Sequence, residues 1–180
     1  MINNTLSARA HARFERFKAR NEGTTALEFA MVAGPFFFLL FGLIEICLVF
    51  IVATVMEQAA EDASRTIRTG AFTGTDGVPL QADICTGMIQ LFNCGAALRV
   101  QVDSPDTFAN VPPLNFTEPD GTFSPQASVP FDTGNGGDIV VVRVLFEWQL
   151  ITPVLSRSLA NFGTDTRLIQ STVVFRNEPF

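Results

Sequence analysis

The feature that most limits this chain is an apolar run too long for the core of a small protein. Residues 23–55 read GTTALEFAMVAGPFFFLLFGLIEICLVFIVATV, and between Glu28 and Glu57 the only charged residue is Glu45. As a helix rising about 1.5 Å per residue, 29–55 extends about 40 Å, beyond the ~30 Å of bilayer hydrocarbon. A buried core helix of that length without a cap or polar face is rare. Residues 24–55 are therefore read as a transmembrane helix.

Charge gives the run a direction. The net charge of −6 divides unevenly: residues 1–23 carry five basic residues against Glu15 and Glu22, which is +3, leaving −9 for the remainder. A basic flank before an apolar helix and an acidic region after it place the N-terminus in the cytoplasm and the C-terminal domain on the translocated side. Residues 1–23 are read as a basic leader, with Phe14 and Phe17 placed to touch the membrane surface. An acidic outer region excludes nucleic acid as a partner.

Within the run, Pro35 cannot donate to the preceding turn, so a kink is expected, and Gly34 leaves room for a neighbouring helix. At 100° per residue Gly34, Phe38, Phe41 and Glu45 share one face. Glu45, about 25 Å along the helix from Glu28, is a carboxylate in the outer part of the bilayer. It either makes an intramembrane contact to another subunit or to assembly machinery, or it snorkels or is protonated. Beyond the run, Met56, Ala60, Ala63 and Ile67 form an apolar stripe, so 56–69 is an amphipathic continuation, with Gly70 as its stop.

The remaining 70–180 are expected to form one small α+β domain. Leu80, Ile84, Met88 and Leu91 mark a short helix ending near Asn93. Leu98 to Asp103 alternates strictly and reads as a half-buried strand. Residues 104–138 form a long Pro- and Gly-rich loop, partly pinned by Phe108, Phe116, Phe123 and Phe131. Ile139 to Leu150 is the strongest strand, with Val140, Val142, Val144, Phe146, Trp148 and Leu150 on one face. Thr152-Pro153 opens a short helix ending near Gly163, and Arg167 to Arg176 is a third strand. The fold class is α+β: a long membrane-spanning helix with a small antiparallel sheet of three or more strands packed on its outer half. Cys47 falls in the membrane run. Cys85 and Cys94 fall on the translocated side, where thiols oxidise; they are a disulfide or two separate core cysteines.

The start of the run carries a motif. Gly23 precedes four uncharged residues and then Glu28-Phe29, a carboxylate set where the helix turns apolar. This resembles the cleavage site of type IVb prepilins. Glu28-Phe29-Ala30, Pro35, Ile44-Glu45, Ala63-Ser64-Arg65 and the tail from Val174 to Phe180 together resemble the TadE-like family, pseudopilins or minor pilins of the tight adherence (Tad, Flp) pilus system. The resemblance implies a pilin-like helix and processing by a prepilin peptidase between Gly23 and Thr24. A new ammonium on Thr24 would then meet Glu28 of a neighbouring subunit, with Glu28 and Phe29 setting assembly register. It implies an inner-membrane protein with a periplasmic domain. Its partners would be other pilin and pseudopilin subunits, the inner-membrane assembly platform, the peptidase and the lipid bilayer.

No catalytic, cofactor or metal residues are expected. The one histidine, His11, lies in the leader, and no Cys/His cluster or phosphate loop occurs. Asp76-Gly77 and Gly134 to Asp138 are read as turns before Ca²⁺ loops. The leading function is a structural pilin acting in assembly of an adhesive Tad pilus. The alternatives are an unprocessed single-pass membrane protein whose outer domain binds a ligand, and a type II secretion pseudopilin. The last fits less well because Phe29 follows the glutamate and position 24 is Thr.

Overall fold

A computed structural model describes residues 23–88, 94–114, 116–118 and 122–179. The leader up to Glu22, with His11, Phe14 and Phe17, lies outside the described residues, as do Leu91 and Asn93. The chain divides into two units, one reaching Leu43 and the other beginning at Ile44. Helix α1, Thr24–Arg68, contributes to both and passes through Pro35 without ending.

In the first unit α1 is an apolar surface. Leu27, Phe29, Met31, Val32 and Leu39 are each more than 60% exposed. A core helix buries such side chains at about 1.5–3 kcal/mol each, so this surface is made for lipid or for another protein.

In the second unit α1 becomes a core helix. Val52, Met56, Ala59, Ala60, Ala63 and Ile67 are buried at one face, as the stripe predicts. The apolar run is thus shared: residues from Val52 outward serve the domain core. At the helix end Gly70 takes φ 69°, the Gly70 amide bonds the Ile67 carbonyl and the Ala71 amide bonds the Thr66 carbonyl. This is a Schellman stop, which satisfies carbonyls the last turn leaves unpaired.

The outer part adds α2 (Val78–Gly87), α3 (Cys94–Ala97), β1 (Leu98–Asp103), β2 (Ile139–Gln149), α4 (Pro153–Leu159) and β3 (Thr166–Arg176). The strands form one antiparallel sheet in the order β1-β2-β3. Val100 faces Val144 across the first pair and Val144 faces Ser171 across the second. The even residues of β1 and β2, with Ile169 of β3, join the α1 stripe and Leu80, Ile84 and Met88 in one core. Small side chains on α1 permit close approach of α2: a Cβ added to Gly87 would lie 3.0 Å from the Ala59 Cβ. Helix α2 stops at Gly87, short of the expected end, and α4 at Leu159 instead of near Gly163.

The half-buried reading of β1 needs correction. All six of its residues are buried. The second sheet face is covered by the long 104–138 connection, which packs Phe116 and Val129 on Leu145, with Phe123 and Leu168 beside them. The connection is therefore a layer of the domain, although Phe108 stays 66% exposed. It also closes the β1 edge. The Gln126 side-chain amide accepts the Val100 amide at 2.8 Å and donates to the Val100 carbonyl at 2.6 Å. The Val102 amide bonds the Pro130 carbonyl, and the Asp132 amide bonds the Val102 carbonyl. A strand edge paired in this way no longer recruits another strand.

The covered face is polar inside. Arg143 pairs with Asp103, both nearly buried, and Arg143 also donates to the Pro112 carbonyl at 2.8 Å. Gln101 donates to the Asp103 carboxylate at 3.0 Å. Arg99 donates to the Ser124 and Leu98 carbonyls and lies over the Phe123 ring. Burial lowers the Arg99 guanidinium below the usual arginine value, and Glu147, diagonal to it on β2, partly opposes that.

Candidate functional site

Two places carry the expected site residues, one in each unit. In the first, Gly23 sits in a short 3-10 turn directly before α1, and Thr24 is the first helical residue. Gly23, Thr24, Glu28 and Phe29 are all exposed. Glu28 has no ion-pair partner among the described residues. A Cβ on Gly23 would meet nothing within 4 Å. Neither a side chain on Gly23 nor loss of the Glu28 charge therefore disturbs a packed structure here. The segment offers an accessible peptide bond, then a carboxylate one turn into an apolar helix.

The second place is the start of the second unit. Glu45 is 2% exposed although it lies in the apolar run. Its carboxylate accepts the Ile151 amide at 2.5 Å and the Thr152 amide at 3.2 and 3.3 Å. These amides follow the end of β2 and open α4, where no side-chain cap is present. Each partner satisfies the other: a carboxylate away from water needs donors, and the turn's free amides need an acceptor. Neither sequence reading of Glu45 anticipates this, because the partners are backbone groups 106 and 107 residues away.

At the opposite end of the same unit, Arg68 meets the C-terminal tail. The Glu178 amide bonds the Arg68 carbonyl at 2.9 Å, and the two side chains are 3.6 Å apart. The sheet is thus held to α1 by Glu45 at one end and by Arg68 at the other. Between them, Cys85 of α2 and Cys94 of α3 form a disulfide, with Cα atoms 5.6 Å apart. It closes the excursion 86–93. Cys47 is free and exposed.

The turn at Asp76-Gly77 is held by the Val78 amide on the Asp76 carboxylate. The turn from Gly134 to Asp138 is held by the Asn135 amide on the Asp138 carboxylate. These carboxylates do local work in their turns.

An exposed apolar helical segment in one unit, and in the other a small antiparallel sheet packed on a helix, define a class: a helix-anchored α+β protein, in which among the described residues one helix, α1, is long and apolar enough to cross a membrane. Comparison with protein families is more particular. The family model described as TadE-like protein matches residues 23–65, which is α1 nearly to its end together with Gly23. Over that segment, about a quarter of the chain, the sequence is similar to the TadE-like family. No curated protein matches the chain, and no solved structure does.

Proposed function

We propose that this chain is a structural minor pilin or pseudopilin acting in assembly of a bacterial Tad (Flp, type IVb) adhesive pilus. One observation carries the reading: within the TadE-like segment, an exposed apolar helix follows directly on an exposed Gly23-x-x-x-x-Glu28-Phe29. Such a surface is unfavourable in water at about 25 cal/mol per Å². It is accommodated in the inner membrane before assembly and among neighbouring stalks after it. Prepilin peptidase cuts between Gly23 and Thr24 on the cytoplasmic side, and the outer domain is periplasmic. The new Thr24 ammonium pairs with Glu28 of the adjacent subunit and sets axial register, an interaction that strengthens where water is excluded.

The test joins intact mass with Glu28→Gln. In cells with the peptidase, the mature mass lacks residues 1–23. Glu28→Gln inserts, is cut, and leaves the unfolding midpoint of the outer domain unchanged. Incorporation into pili falls about tenfold or more, from loss of a charged contact worth about 1.5–3 kcal/mol. An uncut protein indifferent to Glu28→Gln is instead a single-pass membrane protein with a ligand-binding outer domain.

A further inference from the structure

We infer that one end of the outer domain, the turn 150–152 with the groove beside it, is seated within the outer leaflet of the bilayer, where its occupant is lipid hydrocarbon. The inference rests on the membrane-spanning reading of α1, and all the residues it uses lie in the second unit.

The argument begins with levels along α1. Glu45 and Ile51 are six residues apart, about 9 Å of helix. The Glu45 bonds hold Ile151 at the level of Glu45. Yet the apolar surface of α1 does not end there. Ile46, Phe50 and Ile51, farther out along the helix, are 38%, 68% and 49% exposed on the sides that the domain leaves uncovered. If lipid covers α1 as far as Ile51, then Ile151 lies about 9 Å below the edge of that cover. Ile151 is itself apolar and 69% exposed.

The backbone amides at this level behave as a low-dielectric setting requires. In hydrocarbon each unpaired backbone group costs several kcal/mol, so non-helical backbone is tolerated only where its groups are paired within the protein. The amides of the turn meet that condition: those of Ile151 and Thr152 go to Glu45, and that of Leu150 goes to the Asp165 carbonyl.

The groove adds the chemistry of the occupant. A cavity of about 380 Å³ is lined by Ile46, Val49, Phe50 and Ala53 of α1 and by Ile169 and Arg167 of β3. Arg167 pairs in register with Trp148, three residues before Ile151 and so about 10 Å farther out along the strand. Gln170 also lines the slot, and Arg167 donates through Nη1 to the Leu159 carbonyl at 2.8 Å; the mainly apolar walls suit an acyl chain, with its phosphate beside the remaining N–H groups of the guanidinium. Asp165, whose carbonyl takes the Leu150 amide, is exposed beside the turn, so the seating requires its carboxylate to reach up to the headgroup layer.

The test is depth measurement by spin label on the full chain in vesicles of phosphatidylethanolamine and phosphatidylglycerol. Cys47 is first changed to Ser, then Leu39→Cys, Ile151→Cys and Glu61→Cys are labelled one at a time. All three native side chains are exposed, so the fold tolerates the change. The label at 151 should favour oxygen over a water-soluble nickel chelate and report a depth of about 5–10 Å below the phosphates, the depth typical of interfacial elements. The label at 61 should favour the chelate, and the label at 39 should report the bilayer interior. A label at 151 as open to the chelate as that at 61, with 39 still in hydrocarbon, overturns the seating alone. A label at 39 open to the chelate overturns the spanning reading and the seating together. Dipolar broadening between labels at 151 on different copies shows a second copy covering the turn and also overturns the proposal.

Discussion

The Glu45 carboxylate accepts the backbone amide of Ile151, joining α1 to the turn after β2 across 106 residues. The one acidic side chain between Glu28 and Glu57 is thus a structural acceptor for its own domain. Glu45→Ala removes the acceptor for two amides at once. It should lower the stability of the outer domain by about 2–4 kcal/mol, from two donors left unsatisfied at about 1–3 kcal/mol each. Glu45→Gln keeps one acceptor oxygen and should cost less than half as much. Thermal unfolding of the full chain in detergent, followed by near-ultraviolet signal from Trp148, reads the difference. Equal midpoints for wild type and Glu45→Ala contradict the role assigned to this contact.

Gly23 supports no packing, since a Cβ there meets open space. Gly23→Val should therefore leave helix content and the unfolding midpoint unchanged. It should block removal of residues 1–23, because a peptidase specific for glycine at that position cannot seat a branched side chain. Intact mass distinguishes the two forms, and complete processing of Gly23→Val shows that this is not the cleaved bond.

The Cys85–Cys94 disulfide closes a short loop between α2 and α3. Replacing both cysteines by Ser should cost about 2–3 kcal/mol, mainly through a freer unfolded chain. Reduction of the wild-type protein should lower its denaturant midpoint to the same extent. A midpoint insensitive to reductant implies that these thiols are not bonded in the native protein.

Arg143 and Asp103 form a buried pair under the 104–138 layer. Asp103→Ala leaves the guanidinium without its charge partner and should destabilise by about 3–5 kcal/mol. Changing both residues together, Asp103→Leu with Arg143→Met, should cost markedly less, because no charge then remains buried alone. Urea unfolding of the single and double variants measures the coupling, and strict additivity rules out the pair as a unit.

What the sequence determined by itself is the part governed by local pattern. The apolar run from Phe29, the stripe of Met56, Ala60, Ala63 and Ile67, the Gly70 stop and the alternation in Leu98–Asp103 and Ile139–Gln149 are each legible within a window of one element. Hydrophobic period and turn chemistry act over a few residues, so helix, strands and the end of α1 follow from them. The motif at Gly23 and Glu28 is legible for the same reason. What only the tertiary structure decided is where polar groups find partners far along the chain. Alternation in β1 indicates one apolar face, yet the Arg99, Gln101 and Asp103 face is buried too, because the 104–138 connection folds over it. A signal was present in Arg143 and Asp103, opposite charges in the two strongest strand patterns beside a loop rich in Phe and Pro, but the register that brings them together arises only when the sheet forms. Glu45 reads from sequence as a membrane carboxylate in want of a partner. Its partners are the amides of Ile151 and Thr152, groups every residue but proline carries, so no side-chain pattern marks them before the turn is folded against α1.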